Sequence, residues 1–224
     1  MRKIRLPEIL VFSIFLFFCL GVAGFGAWQI CELVDSQKLY SLIFCICFIL
    51  LIYGFALAVF RAFLFVRPIP VGEIAVRSKD EFTYHVYLLF FLIIFYPVIR
   101  SGLIPIPLLR VFYQLLGIKI GNNSYSSGLM MYPTFITIGS NCIVGQGSLL
   151  IPHIIEGDRL GHYPIVIGNN VTIGAHSVLL SVVSVGDGAI ISIGAVVPKN
   201  TTIQSNEIWG GVPARLIGTR SHSA

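Results

Sequence analysis

Pro164-Ile-Val-Ile-Gly-Asn-Asn-Val-Thr-Ile-Gly-Ala-His176 decides the fold of this chain, because an aliphatic residue followed by glycine returns after six positions, at Ile167 and Ile173. The same spacing recurs on both sides of this stretch, at Ile138, Val144, Leu150, Leu179, Val185, Ile191, Val197, Ile203 and Trp209. A six-residue period suits neither a helix of about 3.6 residues per turn nor a simple alternating strand. It predicts a solenoid in which each short strand forms one side of a triangular coil, with the aliphatic side chain inside and glycine at the corner.

The composition indicates that part of the chain meets lipid. Of the 224 residues, 56% are hydrophobic and only 11% are charged, and the mean hydropathy of +0.88 is too high for an ordinary soluble domain. The basic residues behind the net charge of +5 are scattered, which excludes a nucleic-acid-binding surface and suits anionic lipid headgroups. The five cysteines show no disulfide or zinc spacing.

Two long charge-free runs predict transmembrane helices. The first is Ile9–Cys31, and the second, Leu39–Phe60, follows a short loop at Glu32–Lys38. About 20 apolar residues cross the hydrocarbon layer, and the first run is too long for a cleaved signal peptide. Basic residues precede the first helix and follow the second, which predicts that both ends of this pair lie in the cytoplasm.

Two shorter apolar segments follow. Phe82–Ile99 contains polar residues and Pro97, and we interpret it as a segment in the membrane interface; a spanning helix, which would place the repeat outside the membrane, is the alternative. Leu108–Leu116 predicts an amphipathic helix that docks the solenoid onto the bilayer, covers its first coil, or does both. The predicted domains are therefore a helical region at 1–116, a repeat domain at 117–218 and a polar tail at 219–224.

The six-residue register is broken once, between Leu150 and Ile167, which lie 17 positions apart. The interruption at 151–164 contains two histidines, two carboxylates and an arginine in an otherwise uncharged region. Polar groups carried by an insertion on a rigid scaffold are a usual way to build a site. The sequence therefore predicts that the chemistry is placed here.

His153 is the candidate general base of this site, because an imidazole titrates near neutrality and can take a proton from an attacking hydroxyl or amine. Glu156 or Asp158 is predicted to hold the second ring nitrogen and to fix the tautomer. Arg159 is predicted to bind one of these carboxylates and shape the loop, or to contact substrate. His162 and His176 are further candidates for substrate contact, and a solvated surface role is the alternative for each of these residues.

At this point the sequence resembles the hexapeptide-repeat acyltransferase family, whose repeats read aliphatic-glycine-x-x-small-x. The resemblance covers Gly117–Gly218 and is strongest in the stretch quoted first and in Gly211-Val-Pro-Ala-Arg-Leu-Ile-Gly218. It implies a mainly β fold, a left-handed parallel β-helix, here preceded by an α-helical transmembrane and interfacial region. It also implies a homotrimer that binds acyl-CoA between neighbouring β-helices, and it assigns the catalytic role to His153.

Two branches of the family have a similar loop. Galactoside and maltose acetyltransferases place their histidines nearer the arginine, whereas His153-Ile-Ile-Glu-Gly-Asp-Arg159 is similar to a His-x-x-Glu-Asp-Arg element in the membrane-linked region of poly-lysine synthetases, with one extra glycine. The second likeness permits an amine or peptide acceptor. The coenzyme contacts that the resemblance implies fall on Ala175, Ile193, Lys199 and Arg215. The two cations among them suit phosphate groups.

The sequence thus predicts an integral protein of a bacterial inner membrane with its repeat domain on the cytoplasmic side. It would move an acyl group, chiefly acetyl, from acyl-CoA to a hydroxyl or amine of a membrane-proximal small molecule, saccharide or peptide, with no metal. The alternative is a noncatalytic trimeric membrane scaffold. A zinc-dependent γ-type carbonic anhydrase is disfavoured, because Gly174-Ala-His-Ser-Val-Leu-Leu180 displaces one expected zinc ligand by one position and lacks its partner.

Overall fold

A computed structural model describes residues 2–34 and 39–220, which form two compact units. The helical unit comprises 1–69 and 75–97, and the repeat unit comprises 70–74 and 98–224. These limits differ from the predicted domains, because the segment 70–74 pairs with a strand of the repeat unit and the helix at 106–116 packs on its first coils. The predicted loop at Glu32–Lys38 and the polar tail lie partly outside the described residues.

The two predicted transmembrane helices are present as α1, Leu6–Glu32, and α2, Tyr40–Val66. Both are long and apolar enough to cross a membrane, by length and composition. They pack against each other, and the buried side of α1 includes small residues at every fourth position: Cys19, Ala23, Ala27 and Cys31. Small side chains of this kind let two apolar helices approach closely.

A third apolar helix is longer than the sequence predicted. α3, Lys79–Phe90, continues through a π-helical turn at Phe91–Phe95 into α4, Tyr96–Arg100. Pro97 does not end this helix; it directly follows the π-helical turn, a common place for the irregularity that a missing N–H introduces into a helix. The 22 residues are sufficient in length and composition to span a membrane, so the interfacial interpretation and the spanning alternative both stay predictions. Half of its most apolar window is buried inside the protein.

The repeat unit is built from short strands. In chain order these are β1 Gly72–Glu73, β2 Lys119–Ile120, β3 Tyr125–Ser126, β4 Leu129–Met130, β5 Ile136–Ile138, β6 Ile143–Val144, β7 Leu149–Leu150, β8 His153–Glu156, β9 Arg159–His162, β10 Ile165–Ile167, β11 Thr172–Ile173, β12 Val178–Leu179, β13 Ser184–Val185, β14 Ile190–Ile191, β15 Val196–Val197, β16 Thr202–Ile203, β17 Glu207–Gly210 and β18 Arg215–Thr219.

Three parallel sheets make the faces of the solenoid. Face 1 has the order β16-β13-β10-β5-β2, face 2 is β17-β14-β11-β6-β3 with β18 added antiparallel at its end, and face 3 is β15-β12-β7-β4. The chain passes from face 1 to face 2 to face 3 in each coil. This confirms the predicted fold class, a mainly β parallel β-helix preceded by an α-helical region.

The predicted six-residue register is confirmed by the strand pairing. The inward residues align as ladders, such as Ile138, Ile167, Val185 and Ile203 on face 1. Coils are 18 residues apart in the ladder from Ile167 to Val185, but Ile138 and its partner Ile167 are 29 apart, because the interruption lies between them. At the corners, Asn141 and Asn170 have a left-handed backbone, whereas Asn169 acts through its side chain, which accepts a hydrogen bond from the Ser140 N–H at 2.8 Å.

The helix α5, Ile106–Leu116, covers the first coil, as one of the two predicted roles requires. The Tyr113 hydroxyl donates to the Gly128 carbonyl at 3.2 Å and accepts from the Met130 N–H at 3.1 Å. A different face of the same helix leaves Leu108, Val111 and Leu115 exposed. This second face is the part of α5 that suits the predicted contact with a bilayer.

Candidate active site

The interruption of the repeat is a β-hairpin. It leaves the solenoid after β7 and returns at β10, at the corner between faces 3 and 1, which we call the hairpin corner. β8 and β9 pair antiparallel around the two-residue turn Gly157-Asp158, where Gly157 has φ +57°. Glycine at the first turn position is typical of a type II′ hairpin. The two histidines of the interruption, His153 and His162, are directly opposite each other across this hairpin.

Aromatic rings enclose the two imidazoles. The Tyr132 ring lies edge-on to both, with centroids 5.0 Å from His153 and 4.6 Å from His162, and Phe135 stacks on His162 at 5.0 Å. Tyr132, Phe135 and His162 are buried, while His153 is partly exposed. Tyr132 also has φ +50°, a left-handed backbone angle that is uncommon for a bulky residue. The cluster is therefore held by a strained coil corner one turn before the hairpin.

Burial keeps both imidazoles neutral. It lowers the pKa of His153 from 6.5 to about 4. Burial, together with the nearby His153, lowers the pKa of His162 to about 3. The buried Nδ1 of His153 has no hydrogen-bond partner among the described residues. Most buried polar atoms have a hydrogen-bond partner, which is a protein group, ordered water or a bound ligand, so Nδ1 is available for such a contact.

The predicted carboxylate partner of His153 is not found on this atom, since neither Glu156 nor Asp158 bonds Nδ1. Successive side chains of a strand point to opposite faces, and Glu156 is an odd number of positions from His153, so the two side chains diverge. Asp158 lies in the turn beyond β8. The structure therefore does not show the predicted contact of either carboxylate at Nδ1, and their role at the second ring nitrogen stays a prediction.

Glu156 instead forms an ion pair with Lys199. Lys199 lies at the hairpin corner two coils further along the solenoid, in the segment between β15 and β16. The Lys199 ammonium, through a hydrogen bond and its charge, lowers the pKa of Glu156. Arg159, the cross-strand neighbour of Glu156, approaches the exposed carboxylate of Glu73 at 3.5 Å. The hairpin tip is thus bordered by one cation from the repeat and one carboxylate from the segment 70–74.

His176 occupies the corner between faces 2 and 3, away from the hairpin corner in the sequence of strands. Its φ is +56°, and its ring lies directly over Gly147, where a Cβ would come within 2.5 Å of the His176 Nδ1. Its contact with the preceding coil gives this residue a structural role. No described contact joins it to His153, so its predicted role with substrate stays a prediction.

The four predicted coenzyme contacts flank face 3. Ala175 and Ile193 occupy the corner between faces 2 and 3 in two successive coils. The Gly194 N–H donates to the Ala175 carbonyl at 2.9 Å. Ile193 is 77% exposed. Lys199 lies at the opposite edge of this face. Arg215 begins β18, directly after the last turn, and is exposed. Between the two edges, the outward residues of face 3 are aliphatic and partly exposed: Leu129, Leu149, Val178 and Val196.

Three elements of the site were missed by the sequence reasoning: Tyr132, Phe135 and β1. The corner at 131–135 is longer than a regular one, because Met130 and its partner Leu150 are 20 positions apart, whereas regular coils are 18 apart. This extra length, and the two aromatic residues in the corner, could have pointed to the site. The hairpin had a signal as well, since Gly157-Asp158 separates two short apolar runs. β1 could not be recognised from the sequence, because two residues between helices are too few to show a strand pattern.

Comparisons with known proteins identify the class of this repeat. Residues 164–199 match the family model described as hexapeptide repeat of succinyl-transferase. YvoF of Bacillus subtilis strain 168, described provisionally as an acetyltransferase, is 33% identical over 117 residues, which cover 49% of this chain and 65% of YvoF. The galactoside O-acetyltransferase of Escherichia coli K12 is 34% identical over 109 residues, which cover 45% of this chain and 53% of that protein.

These matches agree with the resemblance predicted from the sequence: residues 164–199 match a hexapeptide-repeat model, and about half of the chain is similar to these two proteins. The chain spans less than two thirds of the length of both acetyltransferases. The mitochondrial γ carbonic anhydrase 1 of Arabidopsis thaliana is also 33% identical over 100 residues, which cover 37% of this chain and 36% of that protein. Proteins named for different reactions therefore share this repeat, so the reaction has to be inferred from the residues at the hairpin corner. Within 2–34 and 39–220, no three His, Cys, Asp or Glu side chains are grouped as a metal site requires.

Proposed function

We propose that the protein is a membrane-bound acetyltransferase that moves an acetyl group from acetyl-CoA to a hydroxyl or amine of a membrane-proximal acceptor. The observation that carries the proposal is the partly exposed, neutral His153 with a buried Nδ1 that lacks a partner among the described residues. A neutral imidazole is in the form that accepts a proton at cytosolic pH. The acetyltransferase relatives support acetyl as the group that is moved.

The reaction follows from this placement. Because Nδ1 is buried, we assign Nε2 as the atom that accepts the proton. The acceptor oxygen or nitrogen attacks the thioester carbonyl carbon and gives its proton to Nε2. This attack forms a tetrahedral intermediate at the carbonyl carbon. The carbon–sulfur bond then breaks, and the CoA thiolate takes the proton back from the imidazolium. Free CoA, the acetylated acceptor and neutral His153 result.

Face 3 is the proposed wall of the coenzyme site, within a homotrimer. Its partly exposed aliphatic ladder suits an apolar pantetheine arm and the neighbouring copy, and Ile193 extends this surface at the corner. Arg215 is exposed and suited to a phosphate. Light scattering of the detergent-solubilised chain should give a protein mass of three copies, and a monomer at all concentrations would contradict this arrangement.

The helical unit is the proposed anchor. Three apolar helices are long enough to span, and the exposed aliphatic face of α5 suits a bilayer surface. We propose that α1 and α2 form the spanning pair, with the repeat unit on the cytoplasmic side, where acetyl-CoA is present. A single cysteine that replaces Ser205 in a cysteine-free variant should react with a membrane-impermeant maleimide only in inverted vesicles.

The test of function uses the full chain in lipid nanodiscs. Labelled acetyl-CoA is incubated with extracted membrane lipids and with soluble envelope saccharides, and both CoA release and label transfer are measured. Transfer that is lost in His153→Ala, with an unchanged oligomer mass, supports the proposal. Full transfer by that variant contradicts it.

A noncatalytic scaffold is the second candidate, and one observation favours it. Lys199, which is predicted to contact the coenzyme phosphate, is already paired with Glu156. A scaffold would show neither saturable acetyl-CoA binding nor CoA release with any acceptor pool.

A further inference from the structure

The hairpin that carries the two histidines has a third strand. β1, Gly72–Glu73, pairs antiparallel with β9, so that Gly72 is opposite His162 and Glu73 is opposite Gly161. The next residue, Ile74, donates its N–H to the Leu160 carbonyl at 2.8 Å. The order of this sheet is β1-β9-β8. In sequence β1 lies between α2 and α3, far from the repeat, and the segment 70–74 nevertheless belongs to the repeat unit.

A two-stranded hairpin is marginally stable by itself in water, and a third strand with an apolar side is what usually stabilises it. Ile74 and Leu160, which are joined by the hydrogen bond, are both buried. The ion pair between Glu73 and Arg159 is mostly exposed and contributes little. The backbone pairing and the burial of Ile74 are therefore the main contacts of this strand.

Two glycines fit the chain to this contact. A Cβ on Gly161 would lie 2.8 Å from the Gly72 carbonyl oxygen and 3.3 Å from the Glu73 Cα, so β1 lies where any side chain at 161 would be. Gly72 has φ +108°, a backbone angle that residues with a side chain rarely adopt. Both glycines are adapted to the pairing of β1 with β9, from opposite sides of the contact.

We infer that β1 is a positioning element of the active site: the segment between the two apolar helices α2 and α3 completes the sheet that fixes His162 and, across the hairpin, His153. Residues 117–218 do not form this site without the segment 70–74. For its kinetic consequence the inference rests on the proposed acetyl transfer; its structural part does not.

The consequence for chemistry is twofold. β1 fixes the strand opposite His153, and a misplacement of about 1 Å of a reacting group reduces rates by about 100-fold. It also keeps water from the hairpin base, where the groups that face His153 are the Tyr132 ring and His162. Loosening β1 would admit water, so the pKa of His153 would rise towards its ordinary value.

The test compares Gly161→Ala, Gly72→Ala and Gly218→Ala in the full chain. Gly218 is the matched control, because it lies in β18 and a Cβ there meets nothing within 4 Å. Hydrogen–deuterium exchange of residues 153–162 should rise in the first two variants and stay unchanged in the third. The exchange of β11 and β12, which lie in regular coils, shows in each variant that the solenoid is folded.

Kinetics then measure positioning. In Gly161→Ala and Gly72→Ala, kcat should fall by roughly ten- to a hundred-fold with little change in KM for acetyl-CoA. The acid limb of the pH profile should move upward from about pH 4. Unchanged exchange of the hairpin in both variants would overturn the inference, whatever the activity is. Increased exchange with unchanged kcat and pH profile would also overturn it. If the unmodified protein shows no acetyl transfer, the proposed function fails, and the exchange experiment still decides the role of β1.

Discussion

Glu156, at the end of β8, forms an ion pair with Lys199, which lies two coils further along the hairpin corner. The pair joins the hairpin tip to one edge of face 3. It also places a carboxylate on the cation that the family resemblance assigns to a coenzyme phosphate. In the proposed coenzyme site, hairpin position and coenzyme binding would depend on the same ammonium group.

Opposite effects on KM are therefore expected from the two neutral substitutions. Lys199→Gln should raise the KM for acetyl-CoA, because a phosphate contact is lost. Glu156→Gln should lower it by roughly two- to five-fold, because the lysine no longer has a competing partner and exposed pairs are weak. Steady-state kinetics at low salt measure both, and the double variant should resemble Lys199→Gln. A rise of KM in both single variants would instead mean that the pair acts by holding the hairpin.

Substitutions of the two histidines should reduce kcat by different factors. His153→Ala should reduce kcat by about 10²- to 10⁴-fold, as loss of a general base does. His162→Phe should cost less, because the buried His162 ring stacks on Phe135 and a phenyl ring keeps this contact. CoA release under saturating acetyl-CoA is the measurement. A larger loss in His162→Phe than in His153→Ala would move the base to His162.

Tyr132 is expected to hold both imidazoles. Tyr132→Ala removes the ring that contacts His153 and His162, and cavities of this kind in a core cost about 3–5 kcal/mol. The free energy of unfolding should fall, and the acid limb of the pH profile should move upward as water reaches His153. Tyr132→Phe keeps the ring and should leave the pH profile unchanged. If Tyr132→Ala shifted neither property, the ring contact would have no part in the low pKa of His153.

The sequence was sufficient for the solenoid because its pattern is local. The inward aliphatic residues repeat after six positions, so strand position and register follow from the spacing. The 17-position gap likewise located the hairpin that carries the candidate site. The same reasoning extends to α1 and α2, whose length follows from uninterrupted apolar composition.

The arrangement inside the site could not be predicted in the same way. The divergence of Glu156 from His153 depends on the alternation of a strand that the interruption was not predicted to contain. The contact of Tyr132 with both histidines joins two coils, and the pairing of Gly72 with His162 joins residues 90 positions apart. Contacts of this kind leave no periodic trace in one sequence, apart from the enlarged corner at 131–135.

Acid should destabilise the hairpin before it destabilises the regular coils. The pKa of His153 is lowered to about 4 and that of His162 to about 3, so the unfolded state binds more protons than the folded state below pH 6.5. Their contribution to stability is complete above 6.5 and is lost as the pH falls towards 4 and then 3. Thermal unfolding of the full chain between pH 7 and pH 4 should show a falling Tm, and His162→Phe should show a shallower fall because one of the two groups is absent. Equal slopes for both proteins would mean that His162 does not stay neutral in the folded hairpin over this range.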